Sequence, residues 1–525
     1  MSEPTSRGVA GPDEEAKPQT GRQAAWNYLV FGLSKSSTLI MTVVLARLLT
    51  PADFGLFALA LLMVNLFDWV KDLGVSAALV QSAKSWNRIA PTGLTLSVAF
   101  GVVAGGALAG SAGMAAKALG NPELTSLIQV LAIGILIASL SAIPAARLRR
   151  DLDFRRRIWP EFLGALAKAT LAISLAVAGF GVWSLVYGQL LGTVVTTALY
   201  WVVARTVVRP GFDSREAGEL VRFGIPVSGV ALLAFAIYNI DYLAIGTQLG
   251  DTQLGLYTLA YRLPELIVLN LCVVISDVLF SSLSRLQGDG DALARHYLRA
   301  VTAVVALTAP LSVGLAAAAP AVMETLYGPE YVAAAGALAI LSMYALVYSA
   351  SFHSGDVYKA MGRPWILTAT NAGKFVVLVG PIWWAARYGI VAVAMVLLAV
   401  ELVHCVVRLC LVRAITRTRW TELLTAVLRP LPAAASMGVV MVLVTRAATP
   451  LPAPVTVVLT ALAGLPTYAL VLWLTAPDLV RAGVAAVRSM RKNQEAAPKA
   501  VTLADVTCSA EHRSGFASDP KGDSS

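Results

Sequence analysis

Charged side chains lie in the middle of long apolar stretches of this sequence, where they could bind an ion or an anionic group inside a membrane. The cations are Lys35, Lys168, Lys374 and Arg262. At 1.5 Å per helical residue, the three lysines fall about 15 to 16 Å from the inner ends of their stretches, near the bilayer midplane. A charge at that depth costs roughly 3 kcal/mol or more unless it faces protein or water. These residues therefore indicate a polar path through the membrane.

Each of these cations also has a purely structural interpretation. Lys35 could snorkel toward the membrane surface or pair with a carboxylate. Glu265 lies three residues after Arg262 on the same helix face and could neutralise it, or Arg262 could hold a phosphate group bidentately. Arg222 and Arg408 lie near the inner ends of their stretches, and we interpret them as membrane anchors.

Acidic residues occupy similar positions and are candidates for coupling transport to an ion gradient. Asp241 lies on the seventh apolar stretch and Glu265 on the eighth. Desolvation favours the protonated form of a lone intramembrane carboxylate, which would let it bind and release a proton. Asp68 is a third candidate, although Lys71 follows it at a spacing that favours a local ion pair. Glu401, on the twelfth stretch, is a further acid of this kind.

Fourteen apolar stretches of helix length carry these residues. The chain of 525 residues is 57% hydrophobic and only 14% charged, a composition too apolar for a soluble protein. Because about 20 apolar residues span the bilayer as a helix, we predict an all-α polytopic membrane protein with about fourteen transmembrane helices. The predicted spans are 24–48, 55–82, 91–116, 122–146, 158–179, 181–204, 219–249, 254–284, 297–320, 331–358, 364–386, 388–412, 430–447 and 453–476.

The distribution of lysine and arginine predicts the orientation in the membrane. With an even number of spans both ends lie on one side, and that side has 26 of these residues against 4 on the other; 7 more fall within spans and 4 in the distal tails. Short cytoplasmic loops hold the basic excess. We therefore predict a multi-pass protein of the plasma (inner) membrane with both termini cytoplasmic. The net charge of +10 then needs no nucleic-acid partner.

The sequence also contains an internal repeat. Residues 46–60, "ARLLTPADFGLFALA", return 200 positions later as "GTQLGDTQLGLYTLA" at 246–260, which aligns Gly55 with Gly255. A second echo pairs "FGVWSLV" with "YGIVAVA". Six spans separate equivalent points, so the copies have the same orientation. This predicts two parallel six-helix lobes around a central cavity, plus two C-terminal helices, a plan typical of transporters.

These patterns divide the chain into five segments. Residues 1–23 are polar and rich in Gly, Pro and charge, which predicts a disordered cytoplasmic N-terminus and not a signal peptide. The N-lobe covers 24–210, the C-lobe 211–417 and the two appended helices 418–480. Residues 481–525 form a cytoplasmic tail that we expect to be largely disordered. The four cysteines show no external disulfide framework.

Several segments resemble a known family. The sequences "LARLLTPADFGLFALA", "DLGVSAALVQ", "RDLDFRRR", "NIDYLAIGTQLG" and "LGLYTLAYRLPE" are similar to the Wzx-type polysaccharide flippases. More narrowly, they resemble the WzxC-like branch of the multidrug/oligosaccharidyl-lipid/polysaccharide exporter superfamily, over about residues 24–417. The resemblance implies translocation of undecaprenyl-pyrophosphate-linked oligosaccharide to the outer leaflet without ATP. It implies no resident cofactor, leaves open coupling to protons or sodium, and allows a polysaccharide polymerase or ligase as partner.

A pyrophosphate carries about two negative charges and would need fixed cations along its path, so the four cations are the expected substrate-binding residues. A drug antiporter of the same superfamily would more often need an acidic lobe. A polytopic glycosyltransferase or ligase would need a large external loop, whereas the external loops here have only about five to twelve residues. There is no P-loop, and we interpret "HCVVRLC" at 404–410 as packing and not as a metal site. We therefore expect a transporter and not an enzyme.

Overall fold

The computed structural model describes residues 37–151, 153–448, 451–481 and 485. Within these ranges the chain forms helices joined by short turns, without a strand. Eleven helices of the described chain are long and apolar enough to cross a membrane, or twelve if Leu124–Leu140 and Ala142–Arg150, bent by 40°, form one span. The prediction of an all-α polytopic membrane protein is confirmed. The count of fourteen crossings is not confirmed.

The first half of the chain contains helices α1 to α8. Each predicted span in this half overlaps a helix or a broken helix pair. The bounds are α1 Ser37–Ala46 in its described part, α2 Pro51–Asp72, α3 Val75–Gln81, α4 Trp86–Ala118, α5 Leu124–Leu140, α6 Ala142–Arg150, α7 Phe154–Val177 and α8 Val182–Ala204. Helix α7 packs along α8, and α4 along α5, while α2 contacts both α4 and α5.

The second half contains α9 to α17. The bounds are α9 Ser214–Gln248, α10 Gly250–Pro264, a π-helical turn Glu265–Leu269, α11 Asn270–Ser284, α12 Gly290–Ala317, α13 Ala319–Leu326, a 3₁₀ segment Pro329–Ala334, α14 Ala335–Phe352, α15 Ser354–Ala360, α16 Trp365–Ala385, a 3₁₀ turn Ala386–Tyr388 and α17 Ile390–Thr416. Helix α14 lies between α12 and α17, and α16 packs against α9 and α17. Helices α9, α10, α14, α16 and α17 thus form one connected bundle.

Three further helices follow these two halves. They are α18 Trp420–Leu428, α19 Leu431–Ala447 and α20 Ala453–Thr475. Helices α19 and α20 pack on each other and against α12 and α13. The hydroxyl of Tyr468 in α20 donates to the backbone carbonyl of Ala306 in α12. The two predicted C-terminal spans therefore attach to the second half of the molecule.

Aspartate residues are the N-caps of three of the long helices. Asp153 accepts from the amide of Arg156 at the start of α7, and Asp289 accepts from that of Ala292 at the start of α12. At α9, Asp213 accepts from two backbone amides, and these bonds lower the pKa of its carboxyl. Such caps satisfy first-turn N–H groups that lack a partner within the helix. All three lie on the side where the charge pattern predicts the cytoplasm.

The two copies of the sequence repeat meet where α2 crosses α10. A Cβ on Gly55 would lie 1.8 Å from the carbonyl oxygen of Asp251, and a Cβ on Gly255 would lie 1.7 Å from the carbonyl oxygen of Pro51. Positions 51 and 251, like 55 and 255, are equivalent in the repeat. Reciprocal contacts between equivalent residues are the mark of two-fold symmetry. The repeat read from the sequence therefore corresponds to a two-fold-related contact, which we name the glycine crossing.

Polar contacts join the two halves on the side of the short, weakly basic loops. The amide of Asn121 donates to Asp251 at 3.1 Å. The guanidinium of Arg47 donates to backbone carbonyls at the end of α13, including that of Leu326 at 3.3 Å. These bonds lie beside the start of α10 and close the contact between the halves on that side.

Ion pairs join the halves on the opposite, basic side. Glu216 in α9 is 1% exposed and lies 2.8 Å from both the Lys84 ammonium and Nε of Arg88, which belong to the α3–α4 region. Nearby, a Cβ on Gly224 would lie 1.9 Å from the carbonyl oxygen of Leu73. We name Lys84, Arg88 and Glu216 the inner ion-pair contact. The two halves are thus in contact at both sides of the membrane region.

Candidate functional site

A lysine and an arginine from opposite halves of the chain interact electrostatically. The ammonium of Lys168 in α7 is half-buried and donates to Oε1 of Gln189 in α8 at 2.6 Å. Arg262 in α10 places its guanidinium within electrostatic range of that ammonium. We name these two residues the inter-half cation pair. An anion placed between two such cations would be stabilised by both.

Arg262 lies beside an irregularity of the helix backbone. Helix α10 ends at Pro264, and the chain makes one π-helical turn before α11 begins. Proline causes this kind of break because it lacks an amide hydrogen and clashes with the preceding turn, and π-turns occur often at functional sites. The first residue of the π-turn is Glu265, whose Oε2 lies 3.1 Å from Nη1 of Arg262. The local ion pair expected from their spacing is confirmed.

A second group of buried polar residues lies inside the bundle of the second half. Lys374 in α16 pairs with Glu401 in α17, and their side chains are only 5% and 0% exposed. The ammonium lies 5.5 Å from the ring centroid of Tyr344. The other oxygen of Glu401 lies 3.6 Å from Nδ1 of His404. The predicted anion-binding cation Lys374 is therefore already neutralised by a carboxylate in this structure.

Asp241 faces the same interior from α9. It is 4% exposed, and its Oδ2 accepts from the hydroxyl of Tyr257 in α10 at 2.6 Å. Its Oδ1 has no hydrogen-bond partner among the residues that the structure describes, and the carboxylate interacts electrostatically with Lys374. Two acids, Asp241 and Glu401, thus lie near one lysine in a buried region.

Arg408 also belongs to this interior, which corrects its interpretation as an anchor. The residue is only 5% exposed, and its Nη2 donates to Oδ1 of Asn371 in α16 at 3.0 Å. Its backbone carbonyl accepts from the hydroxyl of Tyr358 at 2.8 Å. The anchor interpretation fails because α16 covers the face of α17 on which Arg408 lies. We name Asp241, Tyr257, Lys374, Glu401, His404 and Arg408 the C-half polar cluster.

The remaining candidates are not part of either group. Asp68 pairs with Lys71, as their spacing indicates, and its side chain is 47% exposed. Lys35 lies outside the described residues. His404, interpreted from the sequence as packing, instead faces Glu401. The sequence indicated this contact, because residues 401, 404 and 408 are spaced by three and four and therefore share one helix face.

Comparison with known proteins identifies the family. The Polysaccharide biosynthesis protein family matches residues 44–336, which is more than half of the chain. The chain belongs to this family. The resemblance to Wzx-type proteins is confirmed by its relatives. This chain is 25% identical over 416 residues to the succinoglycan biosynthesis transport protein ExoT of Rhizobium meliloti. The alignment covers 77% of this chain and 80% of ExoT.

Two further relatives have comparable similarity. The lipopolysaccharide biosynthesis protein WzxC of Escherichia coli is 23% identical over 342 residues, covering 65% of this chain and 70% of its own. The teichuronic acid biosynthesis protein TuaB of Bacillus subtilis is 24% identical over 375 residues, covering 71% and 77%. These three relatives are named for three different bacterial glycans.

Solved structures share the fold. The lipid II flippase MurJ in an inward closed conformation matches with a TM-score of 0.72 at 14% identity, covering 87% of this chain and all of that one. An inward-facing multidrug resistance MATE transporter matches with a TM-score of 0.60 at 18% identity, covering 73% and 94%. At these identities the likeness concerns the architecture alone, which is that of polytopic helical transporters.

Proposed function

We propose that this protein is a membrane flippase for a polyprenyl-pyrophosphate-linked oligosaccharide used in cell-surface polysaccharide biosynthesis. The observation that carries the proposal is the inter-half cation pair, because Lys168 and Arg262 belong to different halves and interact electrostatically, while Arg262 also pairs with Glu265. Membership of the polysaccharide biosynthesis family supports it. The protein acts as a transporter and not as an enzyme.

The pyrophosphate is the part of such a substrate that the cation pair would bind. Its two negative charges make the membrane interior the main barrier to crossing. A cation about 4 Å from such a charge contributes on the order of 4 kcal/mol at an effective dielectric constant near 20. The relatives are named for different glycans, which favours recognition of a shared anionic group over recognition of one sugar.

Alternating access would move the substrate past the cation pair. The contact of Arg47 and Asn121 with the second half closes one side, and the inner ion-pair contact closes the other. If the contacts on one side of the membrane broke while those on the other side persisted, the space between the halves would open to one side only. The split of basic residues supports a plasma-membrane protein with both termini cytoplasmic, so the substrate would enter from the inner leaflet. A polysaccharide polymerase or ligase would use the product.

We assign energy coupling to Asp241, with Glu265 as a second carboxylate. Asp241 is buried and has a single hydrogen-bond partner among the described residues, so its protonation would respond to any change of its surroundings between two states. Asp241→Asn should flatten the dependence of transport on an imposed pH gradient while substrate binding persists. Glu265→Gln tests the second carboxylate in the same assay. Unchanged gradient dependence in both variants would exclude this assignment.

The central test is flipping in proteoliposomes loaded with a fluorescent undecaprenyl-pyrophosphate oligosaccharide. Movement between leaflets is followed by protection from a membrane-impermeant quencher. Lys168→Gln and Arg262→Gln should each slow flipping at least tenfold, Lys168→Arg should retain part of the rate, and Lys117→Gln at the outer end of α4 should not change it. If the double variant flips the donor at the parent rate, the inter-half cation pair does not bind the substrate.

A further inference from the structure

We propose that the interior of the second half contains an additional anion site, formed by Arg408, Asn371 and His404. Its ligand class is an oxyanion such as phosphate. The inference does not depend on the flippase proposal, because inorganic phosphate and pyrophosphate can test it directly.

The hydrogen bonds of Arg408 are incomplete. Its Nη2 donates to Asn371 at 3.0 Å, whereas its Nε and Nη1 have no hydrogen-bond partner in the described chain although the side chain is 5% exposed. A guanidinium offers five N–H donors, accepts none, and remains charged in proteins. Buried donors are almost always satisfied in folded proteins. Acceptor oxygens are therefore expected against this side chain.

The local charge favours an anion over water. Glu401 is within electrostatic range of Arg408, but its carboxylate is already paired with Lys374. Asp241 accepts from Tyr257 and lies near Lys374. The hydroxyl of Tyr358 in α15 donates to the backbone carbonyl of Arg408, and Tyr348 in α14 interacts electrostatically with Arg408. Both hydroxyls are uncharged at neutral pH. Water would satisfy the free N–H groups, whereas an anion would also pair directly with Arg408, which forms no salt bridge with the described carboxylates.

Neighbouring side chains supply further donors. His404 lies one turn before Arg408 on the same face of α17 and is 6% exposed. Neither ring nitrogen has a hydrogen-bond partner among the described residues, and Nδ1 lies 3.6 Å from Oε1 of Glu401. An imidazole carries at least one N–H in any tautomer. The planar guanidinium matches the geometry of phosphate oxygens. Helices α16 and α17 therefore present a guanidinium, an imidazole and a carboxamide to one buried region.

This site is separate from the inter-half cation pair. Arg408 lies eight residues before the end of α17 at Thr416, about 12 Å along the helix, and inside the bundle of the second half. Lys168 and Arg262 instead belong to α7 and α10. The oxyanion could be free phosphate or the pyrophosphate of a lipid. Both present the same oxygens to Arg408, and the experiment separates them.

The test uses the purified full-length protein in nanodiscs. Binding of ³²P-labelled phosphate and pyrophosphate is measured by equilibrium dialysis at constant ionic strength, and binding of undecaprenyl pyrophosphate is measured in a parallel sample. Arg408→Gln should weaken binding at least tenfold. The matched control is Arg413→Gln, on the same helix but exposed, with its guanidinium 5.3 Å from the Trp420 ring centroid. Binding of inorganic anions identifies a free ligand, and binding of the lipid alone identifies a lipid-borne one.

A second variant retains Arg408 and serves as a control for misfolding of Arg408→Gln. Asn371→Asp has nearly the same shape and places a carboxylate on Nη2 of Arg408, so it should remove both anion binding and the rise of the melting temperature that the anion causes in the parent. Arg413→Gln should retain both. Absence of binding in the parent, retention of the anion effect in Asn371→Asp, or its loss in Arg413→Gln but not in Arg408→Gln would overturn the proposal.

Discussion

Replacing Gly255 by alanine should force α2 and α10 apart at the glycine crossing. The added Cβ would lie 1.7 Å from the carbonyl oxygen of Pro51, where contacts under 3.0 Å are essentially never seen. The helices must therefore separate by more than an ångström, because the atom that is met belongs to the backbone and cannot rotate away. Overpacking of a closely packed interface lowers stability by about 1 to 3 kcal/mol. Because two helices are displaced, we expect Gly255→Ala to be destabilised by about 3 kcal/mol.

Thermal unfolding of the purified protein in detergent measures this cost. Gly255→Ala should lower the melting temperature by several degrees, and Gly55→Ala should do the same because its contact is reciprocal. Gly106→Ala in α4 is the matched control, since a Cβ there meets nothing within 4 Å and alanine favours the helix by about 1 kcal/mol over glycine. If both crossing variants melt like this control, α2 and α10 do not approach as closely as described.

Three further outcomes are expected. In a cysteine-free background, a cysteine at Gly120 should react with a membrane-impermeant thiol reagent in whole cells and one at Arg156 should not; the reverse would invert the topology. Lys374→Met and Glu401→Met should each destabilise by about 3 to 5 kcal/mol and the double variant by much less, and additive losses of melting temperature would refute the buried pair. Hydrogen bonds to two glutamates raise the pKa of Lys84 above its usual 10.5. The contribution of Lys84 to stability should therefore be complete below pH 10.5 and lost as pH rises through the raised pKa. A stability difference between the parent and Lys84→Gln that vanishes near pH 8 would contradict this.

The parts of the site that were predictable are those set by local spacing. Arg262 with Glu265, and Asp68 with Lys71, are three residues apart, and helical geometry alone brings them together. The helical architecture was predictable for a related reason, because the length and apolarity of a segment decide whether it can span a bilayer. The repeat showed that Gly55 and Gly255 are equivalent, but it did not predict that the two glycines contact each other's backbone segments.

The parts that were not predictable depend on which helices are neighbours. Lys374 and Glu401 are 27 residues apart on different helices, and only the packing of α16 on α17 makes them an ion pair. The same packing buries Arg408, whose distance from the helix end favoured an anchor. Single-helix patterns assign a depth to each charge, but they do not say whether it faces lipid, solvent or another helix. The number of crossings was uncertain for a similar reason, because bent pairs such as α5 and α6 resemble single apolar stretches.

The glycine crossing also constrains how the sequence can evolve. Each glycine meets backbone atoms of the other repeat, so no compensating change of a neighbouring side chain would make room for a larger residue. A larger residue at either position would therefore displace a helix, whereas the equivalent positions Pro51 and Asp251 carry different residues. An ancestor with a single six-helix repeat would have made this same contact with a second molecule of itself, as an isologous dimer. Duplication and fusion of its gene would then turn a subunit interface into an intramolecular crossing, and one inherited glycine into two that must both persist.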